Sequence, residues 1–205
     1  MRRRWTLGLG AAFLLVTGIV VAGWTAGLDA GVDGFVAAHR FARLTHFAQS
    51  VSSLGNTSVV LVILAIAGCY AAATGHRARI PALLVAPLLG FLTSSLVKVL
   101  VHHPRPPNPI ITDPTSYGFP SGHAATASAT WITFALLALR AESRPPVRRF
   151  LLGAAVGLAL LIGWSRIYLG VHYLMDVLGG WLLGSAIAVA LAGRDSALSA
   201  RTPAP

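Results

Sequence analysis

The sequence predicts an all-α membrane protein: a single domain over residues 1–205, folded as a six-transmembrane-helix bundle with its functional site at the non-cytoplasmic membrane face. Three observations predict it. Of 205 residues, 55% are hydrophobic and 11% are charged, whereas a soluble domain carries about a quarter charged residues. The mean hydropathy is +0.71, which makes lipid the solvent for much of the surface. Six stretches approach the ~20 apolar residues that a helix needs to cross a bilayer: 7–28, 57–74, 81–101, 123–139, 150–167 and 173–192. Backbone groups in lipid must be satisfied internally, and no alternating polarity marks a closed barrel, so the stretches are expected to be helices.

The first stretch follows Arg2, Arg3 and Arg4. Its apolar run is longer than the ~7–15 residues of a signal-peptide core, which favours an uncleaved anchor. The loop 29–56 is expected to hold one short surface helix around 35–47, with His39, Arg40, Arg43 and His46 turned to solvent or headgroups. Gly and Ala recur through the six stretches, as at Gly153, Gly157, Gly179, Gly180 and Gly184. Small residues let membrane helices approach closely.

The net charge of +10 would raise nucleic acid as a partner in a soluble protein. Here the arginines lie in short segments between apolar runs, so they read as orientation signals. Arg2–Arg4, Arg77 and Arg79, Arg140 to Arg149, and Arg194 and Arg201 all fall on one face of a six-helix serpentine. The positive-inside rule makes that face cytoplasmic and places both termini there. Cys69 is the only cysteine, so no intramolecular disulfide forms, and no His/Cys cluster calls for structural zinc.

Ionisable residues at membrane depth are costly, which makes each a functional candidate. Lys98 closes the third stretch, and Arg105 follows in a proline-rich segment. Alone, Lys98 reads as a snorkelling cation. Pro120-Ser121-Gly122-His123 opens the fourth stretch. Ser121 is suited to an ordinary N-cap, and a helix N-terminus with free N–H groups also receives phosphate. Arg166 ends the fifth stretch, and His172 and Asp176 lie four apart on one helical face. Alone, that pair reads as a polar link between helices. Together the clusters meet at one membrane edge: three cations, two histidines and a helix N-terminus. Phosphate is the natural ligand for such a set, because Arg offers a forked donor pair and Lys a point charge. His102, His103, Asp113 and Tyr117 neighbour the set and read as headgroup-facing or specificity-shaping. Trp164, Tyr168 and Tyr173 read as interfacial anchors.

The three clusters resemble the signature of the type 2 phosphatidic acid phosphatase (lipid phosphate phosphatase) superfamily. Lys98, six residues, then Arg105-Pro106 match its first part. Pro120-Ser121-Gly122-His123 match the second, and Ser165-Arg166, His172 and Asp176 match the third. The motifs cover residues 98–176, and no catalytic position departs from the pattern. The resemblance implies metal-independent hydrolysis of a phosphomonoester or pyrophosphate, with no cofactor. His172 would attack phosphorus, Asp176 would orient it, and His123 would protonate the leaving oxygen. Lys98, Arg105, Ser121, Gly122 and Arg166 would bind the phosphate oxygens.

The implied substrate is a membrane lipid phosphate: polyprenyl pyrophosphate, slightly favoured, or phosphatidic acid or phosphatidylglycerophosphate. The alternatives are a vanadate-dependent haloperoxidase, which six apolar spans oppose, and an anion transporter. A transporter needs a lined path, and stretches one, two, four and five hold no ionisable residue at mid-helix.

Overall fold

A computed structural model describes residues 2–111, 116–140 and 143–199. Among them eight α-helices follow one another: α1 (Arg2–Val21), α2 (Ala26–Ala38), α3 (Ala42–Ser53), α4 (Thr57–Ala73), α5 (Ile80–Val101), α6 (Gly122–Ala138), α7 (Pro145–Tyr168) and α8 (Leu174–Ser199). No strand occurs among the described residues.

Four helical segments are long and apolar enough to cross a membrane: Arg3–Val21, Arg77–Val101, Pro145–Tyr168 and Leu174–Ala192. A fifth arises if α3 and α4, bent by 51° at their junction, form one broken span. The sequence predicts six. The difference lies in α4 and α6, whose 17 residues each fall at the short end for a bilayer crossing.

The packing explains the length of α6. It sits inside the bundle against α5, α7 and α8, with its broadest interface on α8. Ala124, Ala125, Ala127, Ser128, Ala129, Thr130 and Thr133 are buried on it. An enclosed helix faces protein rather than lipid, so it tolerates hydroxyl groups that lipid would penalise. Its contact with α8 is close enough that a Cβ on Gly180 would lie 2.6 Å from the Ser121 carbonyl oxygen, and one on Gly184 would collide with the Ala125 carbonyl. The outer helices instead present large apolar side chains: Leu14 and Leu15 on α1, Ile66 on α4, Leu96 and Leu100 on α5, and Phe150 on α7 are exposed. In water such a belt would be an aggregation surface; in lipid it is the solvated face.

Two boundaries differ from expectation. The first helix ends at Val21 instead of residue 28, and Gly23 (φ 72°) turns the chain into α2. The loop 29–56 contains two helices instead of one, and they break at Arg40–Phe41. The break has a tertiary cause. Arg40 donates from Nε to the Tyr168 carbonyl (3.1 Å) and from Nη1 to the Asn108 carbonyl (3.2 Å). The Phe41 N–H donates to the Tyr168 hydroxyl (3.1 Å). Arg40 therefore ties the α2–α3 joint to the bundle rather than facing solvent. Gly170 is required beneath it, because its φ of 71° is left-handed and a Cβ there would lie 2.9 Å from the Asn108 backbone carbonyl oxygen.

Candidate active site

The end of α5, the start of α6, the end of α7 and the start of α8 meet at one end of the bundle. Lys98 lies in the last turn of α5. Its ammonium donates to the carbonyls of Tyr117 (2.6 Å) and Gly118 (3.0 Å), drawing the segment before α6 against α5. The chain leaves α5 through His102 in a left-handed conformation (φ 54°). That turn sends Arg105 across the loop. Its Nε donates to the Ser116 carbonyl (2.6 Å), Nη2 to Ser116 Oγ (3.0 Å) and Nη1 to the Val171 carbonyl (2.8 Å). Nη1 also lies 3.5 Å from His172 Nε2.

Ser121 is the N-cap of α6, and its hydroxyl accepts from the Ala124 N–H at 3.5 Å. Its own backbone N–H donates to the Asp176 carbonyl (2.8 Å), which fastens the start of α6 to the start of α8. His172 and Asp176 are both buried. Asp176 Oδ2 accepts from His172 Nδ1 (3.3 Å) and from the Tyr173 backbone N–H (3.0 Å), and Oδ1 accepts from His103 Nδ1 (2.9 Å). Burial lowers the His172 pKa to about 4, against the opposing pull of the Asp176 hydrogen bond and charge. The ring is therefore neutral near pH 7. With Nδ1–H committed to the carboxylate, its Nε2 lone pair faces the Arg105 guanidinium.

Two further candidates sit under the α3–α4 joint. Arg166 is buried and donates from Nη1 to Ser52 Oγ (2.7 Å). His123 Nε2 lies 3.3 Å from Asn56 Oδ1, and a Cβ on Gly55 would touch the His123 ring at 3.0 Å. The structure thus joins Lys98, Arg105, Ser121, His172 and Asp176 through direct contacts and their shared loop. It carries His123 and Arg166 beside them on α6 and α7.

Four participants escape the sequence reading. Ser52 and Asn56 belong to a loop that reads as surface. Asp29 is buried on α2, where its Oδ1 accepts from the Met175 N–H (3.1 Å) in the first turn of α8. Burial raises the Asp29 pKa, partly offset by that backbone hydrogen bond. His103 reads as headgroup-facing in the sequence, yet it grips Asp176. Tyr168, expected as an interfacial anchor, is buried, and its hydroxyl serves the α2–α3 joint. His102 matches expectation better: it is exposed, with its ring edge-on to Tyr117 at 4.3 Å. Asp113 lies outside the described residues.

Apolar helices long enough to cross a bilayer, closing at one end on a buried imidazole–carboxylate pair beside cations, define an integral membrane enzyme. The family model described as the PAP2 superfamily matches residues 80–195, so the chain belongs to that superfamily and is a phosphatase. It is 28% identical to phosphatidylglycerophosphatase B of Bacillus subtilis over 155 residues, 74% of this chain and 75% of that one. It is 33% identical to decaprenylphosphoryl-5-phosphoribose phosphatase of Mycobacterium tuberculosis over 147 residues, 68% of this chain and 74% of that one. An undecaprenyl-diphosphatase of Sulfolobus acidocaldarius is 42% identical over 74 residues, 36% of this chain, and there the match spans only 32% of the relative's length. In fold, the chain is similar to the crystal structure of a transmembrane PAP2-type phosphatidylglycerolphosphate phosphatase from Bacillus subtilis. The TM-score is 0.86, covering 94% of this chain and 96% of that one, at 23% identity.

Proposed function

We propose that the chain hydrolyses a lipid phosphate or pyrophosphate without a metal ion, through a phosphohistidine intermediate. The observation that carries this reading is the state of His172: neutral, fixed by Asp176 at Nδ1, with the Nε2 lone pair on the side of Arg105. Nε2 attacks phosphorus, and the bond from phosphorus to the leaving oxygen breaks. His123 gives that oxygen its proton. Water then attacks the phosphoryl group, the N–P bond breaks, and His123 takes the water's proton. Lys98, Arg105 and Arg166, with Ser121 Oγ and the Gly122 N–H, hold the non-bridging oxygens. Three cations supply the charge stabilisation that a metal ion gives in other phosphoryl-transfer sites. The covalent step divides one difficult displacement into two easier ones.

The substrate class follows from these relatives, all named for lipid-linked phosphates. A polyprenyl pyrophosphate suits a compact site best, with phosphatidic acid and phosphatidylglycerophosphate next. The relatives favour neither an anion transporter nor a haloperoxidase. In the topology that accompanies this reading, α4 and α6, each of 17 residues, complete six spans. That length sits at the lower limit for crossing a bilayer. The basic segments keep both termini cytoplasmic, and the site opens on the opposite face.

Detergent-purified protein is expected to release inorganic phosphate from a lipid phosphate at an unchanged rate in EDTA, and His172→Ala is expected to abolish release. Wild type quenched in alkaline detergent should carry a phosphoryl group that is stable to alkali and lost in acid. Loss of activity in EDTA would refute the metal-free step, and an active His172→Ala enzyme would refute the nucleophile.

A further inference from the structure

We infer that His103 is a positioning residue for the reaction, setting the Asp176 carboxylate so that its other oxygen aligns His172. The inference rests on the reading of His172 as nucleophile. Asp176 divides its two oxygens between two histidines: Oδ2 serves His172 Nδ1 at 3.3 Å, and Oδ1 serves His103 Nδ1 at 2.9 Å. The carboxylate is thus held more closely by His103 than by the ring it is meant to orient. A carboxylate plane turns freely about its Cβ–Cγ bond unless both oxygens are engaged. With Oδ1 anchored, Oδ2 stays in line with His172 Nδ1 and the Tyr173 N–H.

His103 is built to act as an anchor. The left-handed turn at His102 directs the following residue back toward the bundle. The His103 ring packs edge-on against Tyr173 (centroids 5.7 Å apart) and Phe119 (6.5 Å). Its backbone carbonyl accepts from the Gly118 N–H at 2.7 Å. Its side chain is 16% exposed, beside a carboxylate with no exposure at all. A buried carboxylate oxygen without this donor would seek another, and rotation away from His172 is the available route.

The test is a series at one position, assayed by steady-state phosphate release and by the rate of phosphoenzyme formation in single turnovers quenched with alkaline detergent. His103→Ala and His103→Leu are expected to lower kcat by about 10–100-fold, the range found when the outer hydrogen-bond partners of metal-bound histidines are removed, with KM unchanged. His103→Asn places an amide nitrogen near the position of Nδ1, so it restores most of the lost rate in both assays. Leu keeps the volume and Asn keeps the donor, so a purely structural role would favour Leu or neither. His46→Ala, at an exposed histidine of α3 that the site does not use, should behave as wild type. Wild-type kcat in His103→Ala, or an Asn variant no faster than Leu, would overturn the inference. His172→Ala in the same assays separates the two levels: if it is inactive while His103→Ala is unimpaired, only the inference about His103 fails.

Discussion

Asp176→Asn tests the site most sharply, because the structure fixes which way the new amide must face. Asp176 Oδ2 accepts from the Tyr173 backbone N–H, which can only donate. The amide oxygen of the introduced side chain therefore takes the Oδ2 place and still accepts from His172 Nδ1–H. The amide nitrogen falls at the Oδ1 place, opposite His103 Nδ1, and pushes His103 to its other tautomer. His172 keeps the correct tautomer and loses only the charge beside it. A full charge 3.3 Å away is worth about 5 kcal/mol at an effective dielectric constant of ~20. The ring carries part of a positive charge in the transition state, so about half to four-fifths of that is lost. At about 1.4 kcal/mol per tenfold, kcat falls by ~10²–10³. That is less than the ~10⁴ seen when the corresponding change in a serine-protease triad imposes the wrong tautomer. Single-turnover phosphoenzyme formation and kcat should fall together, with KM little changed. Activity within threefold of wild type would refute a charge role for Asp176. Inactivity equal to that of His172→Ala would refute the argument about orientation.

Gly118→Ala should cost at least tenfold in kcat, because the new Cβ would lie 2.8 Å from Asp176 Oδ2 and 2.7 Å from the Pro104 carbonyl oxygen. A phosphate-release assay alongside a thermal melt would check that the loss is in rate and not in folding. The pH dependence of stability follows from His172, whose folded pKa of about 4 lies below the unfolded value of 6.5. As pH falls below 6.5 the unfolded chain binds the proton first, so stability is complete above 6.5 and is lost progressively down to 4. The gap of about 2.5 pH units at about 1.4 kcal/mol each gives ~3 kcal/mol. Melts of wild type and His172→Gln across that window should converge as the wild type loses its advantage; parallel curves would count against a buried neutral ring.

Much of the candidate site is legible in the sequence because its residues lie in short motifs at helix ends. Lys98, Arg105, His123, Arg166, His172 and Asp176 are ionisable residues where lipid makes them costly, and that cost is visible in any one sequence. Local rules also place Ser121 as the N-cap of α6. What stays hidden depends on contacts between distant segments. Asp29 reaches Met175, Ser52 reaches Arg166, and Asn56 reaches His123. None has a periodic or motif signal, and all three lie in or beside a stretch whose arginines and histidines read as a wetted surface. The helix break at Arg40–Phe41 has the same origin, since Tyr168 lies 127 residues on from Phe41. His103 is misleading for another reason. It stands between a solvated histidine and a site arginine, and only the left-handed turn at His102 decides which neighbour it resembles.

The enclosure of α6 bears on how the enzyme meets bilayers of different thickness. A helix in contact with lipid answers mismatch by tilting or by deforming its surroundings. On this chain that duty falls to the outer helices, whose exposed leucines, valines and phenylalanines form the lipid boundary. The helix bearing Ser121 and His123 has mainly protein for neighbours, so its depth is inherited from α5, α7 and α8. Bilayer thickness therefore reaches the candidate site only through the tilt of those neighbours.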